Sequence, residues 1–193
     1  MLLLTNAFLH PVSHSAIQRG YLWIDPPVIR AIGSGDPPAD LLAVHQGPVV
    51  DLAGSHIVPG LIDAHCHIGL FNDGLASEGY DANEHSDPVT PHMQAIDGLF
   101  QDDRCFAEAL AAGVTTVMTG PGSANVLGGS FAVLHTACNS FDTMLGRQTA
   151  AMKAALGENP KKSYGKRERA PATRMANAAI LREALTKAQH YRE

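Results

Sequence analysis

Along residues 1 to about 55, short apolar runs alternate with turn-forming residues. "LLLTNAFLH", "GYLWID", "VIRAIG" and "VVDLAG" are each bounded by Gly, Pro or Asp, a pattern that predicts short strands joined by tight connections. "DPP" and "GDPP" reinforce it, because proline fixes its own φ and keeps the preceding residue out of the helical region. Tyr21 and Trp23 stand two apart and share one strand face, most simply the core face. The opening segment therefore reads as a small all-β unit.

From residue 56 the pattern changes. "HIVPGLIDAH" is a continuous apolar run, of the kind buried on both faces of a parallel sheet. In "TPHMQAIDGLF", Thr90 is placed as an N-cap with Pro91 in the first helical position. "QDDRCFAEALAAG" predicts a second helix with acidic residues in its first turn, Phe106 and Leu110 on one face, and Gly113 as its stop. "VTTVMTG" is a β-branched strand running into the glycine-rich loop "GPGSANVLGG". "SFAVLHTAC" and "AAMKAALGENP" are the next strand candidates. The tail "PATRMANAAILREALTKAQHYRE" predicts a helix whose apolar face carries Ile180, Leu181, Leu185 and Ala188. Strands alternating with helices after an all-β opening predict an α/β chain in two parts. Residues 1–55 would form a small all-β unit, and residues 56–193 the start of a (β/α) barrel.

Composition adds limits rather than direction. The chain has 193 residues, 45% of them hydrophobic and 17% charged, which is the balance of a globular protein. A net charge of −5 points to neither nucleic acid nor an anionic membrane as partner. The basic segment "KKSYGKRERAPATR" reads most simply as a solvated loop. Cys66, Cys105 and Cys138 are widely spaced and form no CxxC pair, so three free thiols and a reducing, cytoplasmic setting are expected. The opening residues lack the basic start of a signal peptide, and no run is long enough for a membrane span.

The candidate chemistry is concentrated in "HIVPGLIDAHCHIGL". Residues two apart on a strand point to one side, so His65 and His67 project together while Cys66 points away. Two neutral imidazoles side by side can hold a divalent ion, zinc above all; alternatively they are a polar pair on a surface turn. Asp63 is placed to accept a hydrogen bond behind them. Ser123 and Asn125, in the glycine-rich loop, are candidates for substrate binding or for shaping the turn. His85, His92 and His135 read more simply as structural or surface histidines, and Cys66 as a small packed hydrophobe.

"VPGLIDAHCHIG" resembles the first barrel strand of the amidohydrolase superfamily. "DPVTPHMQAIDG", "AGVTTVMTGPGSANVLGG" and "GENPK" extend the resemblance over nearly the whole chain, toward the imidazolonepropionase-like branch. The resemblance implies a metal-dependent hydrolase of an amide or cyclic-amide C–N bond. One or two divalent ions, most simply zinc, would activate water as metal-bound hydroxide. His65 and His67 would be ligands, and Glu158, at the end of the candidate fourth strand, a bridging one. Lys153, in mid-strand, and Lys161, in the loop beyond, are less well placed. The resemblance also implies further histidines and an Asp general base from later strands. By the resemblance, residues 1–55 would be part of a β-sandwich subdomain and residues 56–193 a partial (β/α)8 barrel of about four βα units; a whole barrel takes about 250 residues, so this chain reads as an N-terminal half. Three possibilities follow: an incomplete amidohydrolase inactive by itself, a half completed by a homo-oligomer or a partner half, or an inactive binding module. The substrate would be a small molecule.

Overall fold

The computed structural model describes residues 1–137 and 140–192; the expectation of a free thiol at Cys138 falls outside them. The chain forms two compact units, Met1–Pro59 and Gly60–Glu193. The apolar run at 56–66 is therefore not one strand. Pro59, which lacks an N–H, and Gly60 interrupt it, leaving His56–Ile57 as a short strand in the first unit and Leu61–Cys66 as a strand in the second.

The first unit contains β1 (Leu2–Leu9), β2 (Ile17–Asp25), β3 (Val28–Ser34), α1 (Ala39–Val44), β4 (Val49–Asp51) and β5 (His56–Ile57). β1 and β2, and β2 and β3, pair antiparallel; β4 and β5 both add to β1 in parallel. Leu3, Ala7, Leu9 and Leu22 are buried, together with Leu41 from α1. Among the described residues the strands form one five-stranded sheet, order β3-β2-β1-β4 with β5 also on β1, where two facing sheets were expected. All four runs read as strands join this one sheet, and residues 39–44 between them form a short helix.

The second unit is built on β6 (Leu61–Cys66), β7 (Val114–Thr119), β8 (Leu127–His135) and β9 (Leu145–Ala154), in that order across one sheet. β6 and β7 are parallel, joined by a long crossover that contains α2 (Arg104–Ala111). β8 is antiparallel to both its neighbours, unlike the all-parallel alternation that a (β/α) repeat predicts. Loop length explains this: Gly120 to Val126 is far short of the dozen or so residues that a parallel crossover needs. The β8–β9 connection, which holds α3 (Phe141–Met144), is similarly short. The sheet is thus mixed.

Phe106, Val117, Ala132, Leu134 and Met144 form the core of this unit. Asp103 caps α2 through the Cys105 N–H, while its other oxygen accepts the Gly69 N–H at 2.8 Å. Gly113, at φ 85°, follows the helix as anticipated. Thr90 does not cap a long helix: only a 3₁₀ turn, Ala95–Gly98, follows it. Thr90 is instead buried, donating its hydroxyl toward Leu127 O and Gly128 O. α4 (Glu158–Gly165) and α5 (Arg174–Arg192) end the unit. On α5, Ile180 and Leu181 are half-buried but Leu185 and Ala188 are exposed; the fully buried residue is Asn177, which donates to Leu156 O and Gly157 O. No helix among the described residues is long and apolar enough to cross a membrane.

Candidate metal centre

β6 ends in the two histidines. The His65 N–H donates to Asp63 Oδ1 at 3.0 Å, so Asp63 secures the strand end. The two rings stand nearly perpendicular, their centroids 5.5 Å apart. His67 is half-buried and its Nδ1 lies 2.6 Å from Gly120 O, at the start of the glycine-rich loop. A carbonyl can only accept, so Nδ1 carries the proton and Nε2 keeps its lone pair for an ion. This is the second contact that orients a metal-binding imidazole.

The floor of the site is Phe131 on β8. His65 meets its ring edge-on at 5.3 Å, and Lys153 Nζ lies 5.8 Å from its centroid. Gly120 must be glycine here, because an added Cβ would fall 2.3 to 2.7 Å from three Phe131 ring carbons. Thr119, fully buried, donates its hydroxyl to Ile68 O at 2.6 Å and fastens the ends of β6 and β7 together.

Lys153 is the residue that the sequence reading ranked below Glu158. It comes from β9, the opposite edge of the sheet, yet its Nζ lies 3.4 Å from His65 Nε2. Flat strands three spacings apart would be separated by about 14 Å, so the two side chains lean toward each other over Phe131. Lys153 is 6% exposed, and desolvation pushes its ammonium below the ordinary lysine range. His65 is likewise held below the usual histidine range, first by desolvation and then by the charges of Lys153 and His67. Its signal in the sequence was a lone cation inside the apolar run "AAMKAALG".

Glu158 is not brought to this face. It starts α4, is exposed, and its carboxylate accepts from Lys161 Nζ at 2.9 Å. Among the described residues no three His, Cys, Asp or Glu side chains gather around one point. The strand that was expected to deliver Glu158 ends at Ala154, so the residue aimed inward is Lys153. The donor set fits a divalent ion through two imidazoles, with Lys153 in the position of a third group.

The other candidates are dispersed. Asn125 is buried and its amide donates to Asp87 O and Thr90 Oγ1, so it holds the loop from within. Ser123 lines a separate cleft with His85, whose Nδ1 lies 3.0 Å from Ser163 Oγ. His92 and His135 are exposed. Cys66 is half-buried against the core, and burial raises its thiol pKa.

No family model matches the chain. An amidohydrolase of Hapsidospora irregularis, tasK, is 34% identical over 151 residues, which is 72% of this chain and 15% of that protein. The crystal structure of an amidohydrolase from Thermotoga maritima MSB8 is similar with a TM-score of 0.89 and 37% identity, over 99% of this chain and 48% of that one. The chain thus spans about half the length of the solved relative and a smaller share of the curated one. With likeness in sequence and in three-dimensional structure agreeing over most of its residues, the chain belongs to the amidohydrolase superfamily.

Proposed function

We propose that this chain carries the cation-binding face of a metal-dependent amidohydrolase, which hydrolyses a C–N bond in a small amide or cyclic amide. The observation that carries the reading is that His65 meets both the His67 ring and the Lys153 amine beside Phe131, with the His67 tautomer set by Gly120 O. A bound divalent ion, zinc being well suited to imidazole, supplies Lewis acidity that polarises a carbonyl and makes water more acidic.

The protein's own contribution is binding and orientation. His65 and His67 would hold the ion, the Gly120 O contact leaving the His67 Nε2 lone pair for it. Lys153, not Glu158, supplies the carboxylate. Its neutral amine attacks CO₂, an N–C bond forms, one proton leaves to solvent, and the resulting carbamate sets two oxygen donors beside His65. The low-lying ammonium pKa favours this step by raising the neutral fraction. Asn125 positions the glycine-rich loop from within, while Ser123 faces the separate cleft beside His85 and takes no part at the histidines. The group that accepts the proton of the attacking water lies outside these residues, so the chain by itself is inactive.

Elemental analysis of metal in the purified chain tests the reading, with folding of each variant checked by circular dichroism. The wild type should hold metal near stoichiometry, the His65→Ala/His67→Ala variant none, and Lys153→Met markedly less. Glu158→Gln should match the wild type. Retention of metal by the double histidine variant would sink the proposal.

The sheet edges favour a second reading in which association completes the site. Among the described residues β6 pairs only with β7 and β9 only with β8, and Leu61 and Ile62 of β6 are 55% and 71% exposed. β9 runs in the same sense as β6, so a second copy or a partner half could continue the sheet on both edges toward about eight strands. Sedimentation showing a monomer at all concentrations would remove the homo-oligomer.

A further inference from the structure

The basic segment that reads in sequence as a solvated loop contributes to a second site in the same unit. α4 brings Asn159, Lys162 and Ser163 beside the loop residues Asn83 and His85 and beside Ser123, where together they line an open surface cleft of 320 Å³. No carboxylate is among the residues lining it. The acid on α4, Glu158, is bonded to Lys161, and Glu84 turns its carboxylate to the Ser86 N–H at 2.7 Å.

The hydrogen bonds already made leave donors facing the cleft. Asn83 Oδ1 accepts the Ala124 N–H at 3.0 Å, which turns the amide so that its NH₂ remains as a donor. His85 Nδ1 and Ser163 Oγ are 3.0 Å apart. If the imidazole donates, the serine O–H is free; if the serine donates, the His85 Nε2–H is free. Either way the pair offers one further donor. Lys162 adds a full positive charge. The Arg167 guanidinium bonds His85 O at 2.9 Å and that of Arg169 bonds Ser86 O, so the loop carrying His85 is tied to the basic segment. Gly122 is part of the arrangement, since an added Cβ would lie 2.4 Å from Asn83 Oδ1.

We infer that this cleft binds a small oxyanion group, a carboxylate or a phosphate, through Lys162, the Asn83 amide and the His85–Ser163 pair. A lining of donors with one cation and no acid is complementary to such a group and not to a cation or an apolar ligand. The inference stands apart from the metal centre, and either can fail without the other.

The test is binding of inorganic phosphate, and separately of succinate, to the full chain, followed by thermal shift and calorimetry at constant ionic strength. At least one anion should raise Tm saturably, and the stronger of the two identifies the group. Lys162→Gln and Ser163→Ala should each weaken binding about tenfold, the loss of one charge-assisted hydrogen bond. Lys166→Gln, one helical turn along but outside the cleft, should bind like the wild type. Both single variants alter exposed or half-buried side chains, and their unfolding midpoints without ligand confirm that they fold. No saturable effect of either anion, or equal weakening by Lys162→Gln and Lys166→Gln, would overturn the inference, the second result meaning diffuse counter-ion binding only.

Discussion

Gly120→Ala places the fold and the candidate centre under one perturbation. The added methyl would sit 2.3, 2.4 and 2.7 Å from Phe131 Cγ, Cδ1 and Cδ2, where ordinary contact needs about 3.4 Å or more. Phe131 is 3% exposed, with His65 against its edge and Lys153 over its face, so the ring has little room to retreat. Overpacking of this kind costs about 1–3 kcal/mol. With an m-value of about 2 kcal/mol/M in urea, a 2 kcal/mol loss moves the midpoint by about 1 M. Far-UV circular dichroism follows it. The same substitution displaces the carbonyl that orients His67, and loss of such a contact weakens metal affinity about 10- to 100-fold. Competition against a chelating dye measures that. Gly165→Ala is the control: it lies in α4 and its added carbon would meet Ala172 at 3.5 Å, an ordinary contact, so its midpoint should not fall below that of the wild type. If Gly120→Ala unfolds at the wild-type urea concentration, the packing argument is wrong. If it is destabilised but binds metal as tightly as before, the orienting role of Gly120 O is wrong.

Two further outcomes concern stability. Tyr164 is fully buried and donates its hydroxyl to Asp87 O at 2.7 Å, but that carbonyl also accepts from Asn125. Tyr164→Phe therefore leaves Asp87 O with a donor and otherwise removes only the longer contact to Glu84 O at 3.4 Å, so it should cost only about 1 kcal/mol in urea unfolding; a loss beyond about 3 kcal/mol would mean the hydroxyl does more than these bonds. In the first unit, the Ala53 N–H and then the Asn6 amide hold the Asp51 carboxyl below its ordinary range. A depressed pKa stabilises the fold above the unfolded value, near 4, and that contribution disappears as pH falls through the folded value. The wild type should lose stability toward acid more steeply than Asp51→Asn, read from the fluorescence of Trp23, the chain's single tryptophan, in β2. Parallel acid limbs in the two proteins would refute this.

Local order was legible because local interactions set it. β-branched and apolar runs bounded by turn residues marked β1, β2, β3, β7 and β8, and the acidic start and Gly113 stop marked α2. The paired histidines were legible because i and i+2 on a strand share a side whatever the strand packs against. The break at Pro59–Gly60 was present in the sequence but outweighed by continuous hydrophobicity on either side. The helix expected after Thr90 failed because tertiary contacts to Leu127 and Gly128 claim its hydroxyl.

The sequence by itself determined most of the strands and helices α2 and α5, the identity of the two imidazoles and the glycine-rich loop that ends β7. Only the tertiary structure decided which groups meet. His65 and Lys153 are 88 residues apart and lie on opposite edges of one sheet, so their contact depends on strand order and on which way each side chain leans. Glu158 and Lys153 are five residues apart in the chain, and spacing alone cannot rank them. The end of β9 at Ala154 does, leaving the lysine on the strand and carrying the glutamate into an exposed helix. Short-range preferences are encoded by neighbours in sequence, whereas a site is a convergence of distant residues, and that is a property of the packed sheet.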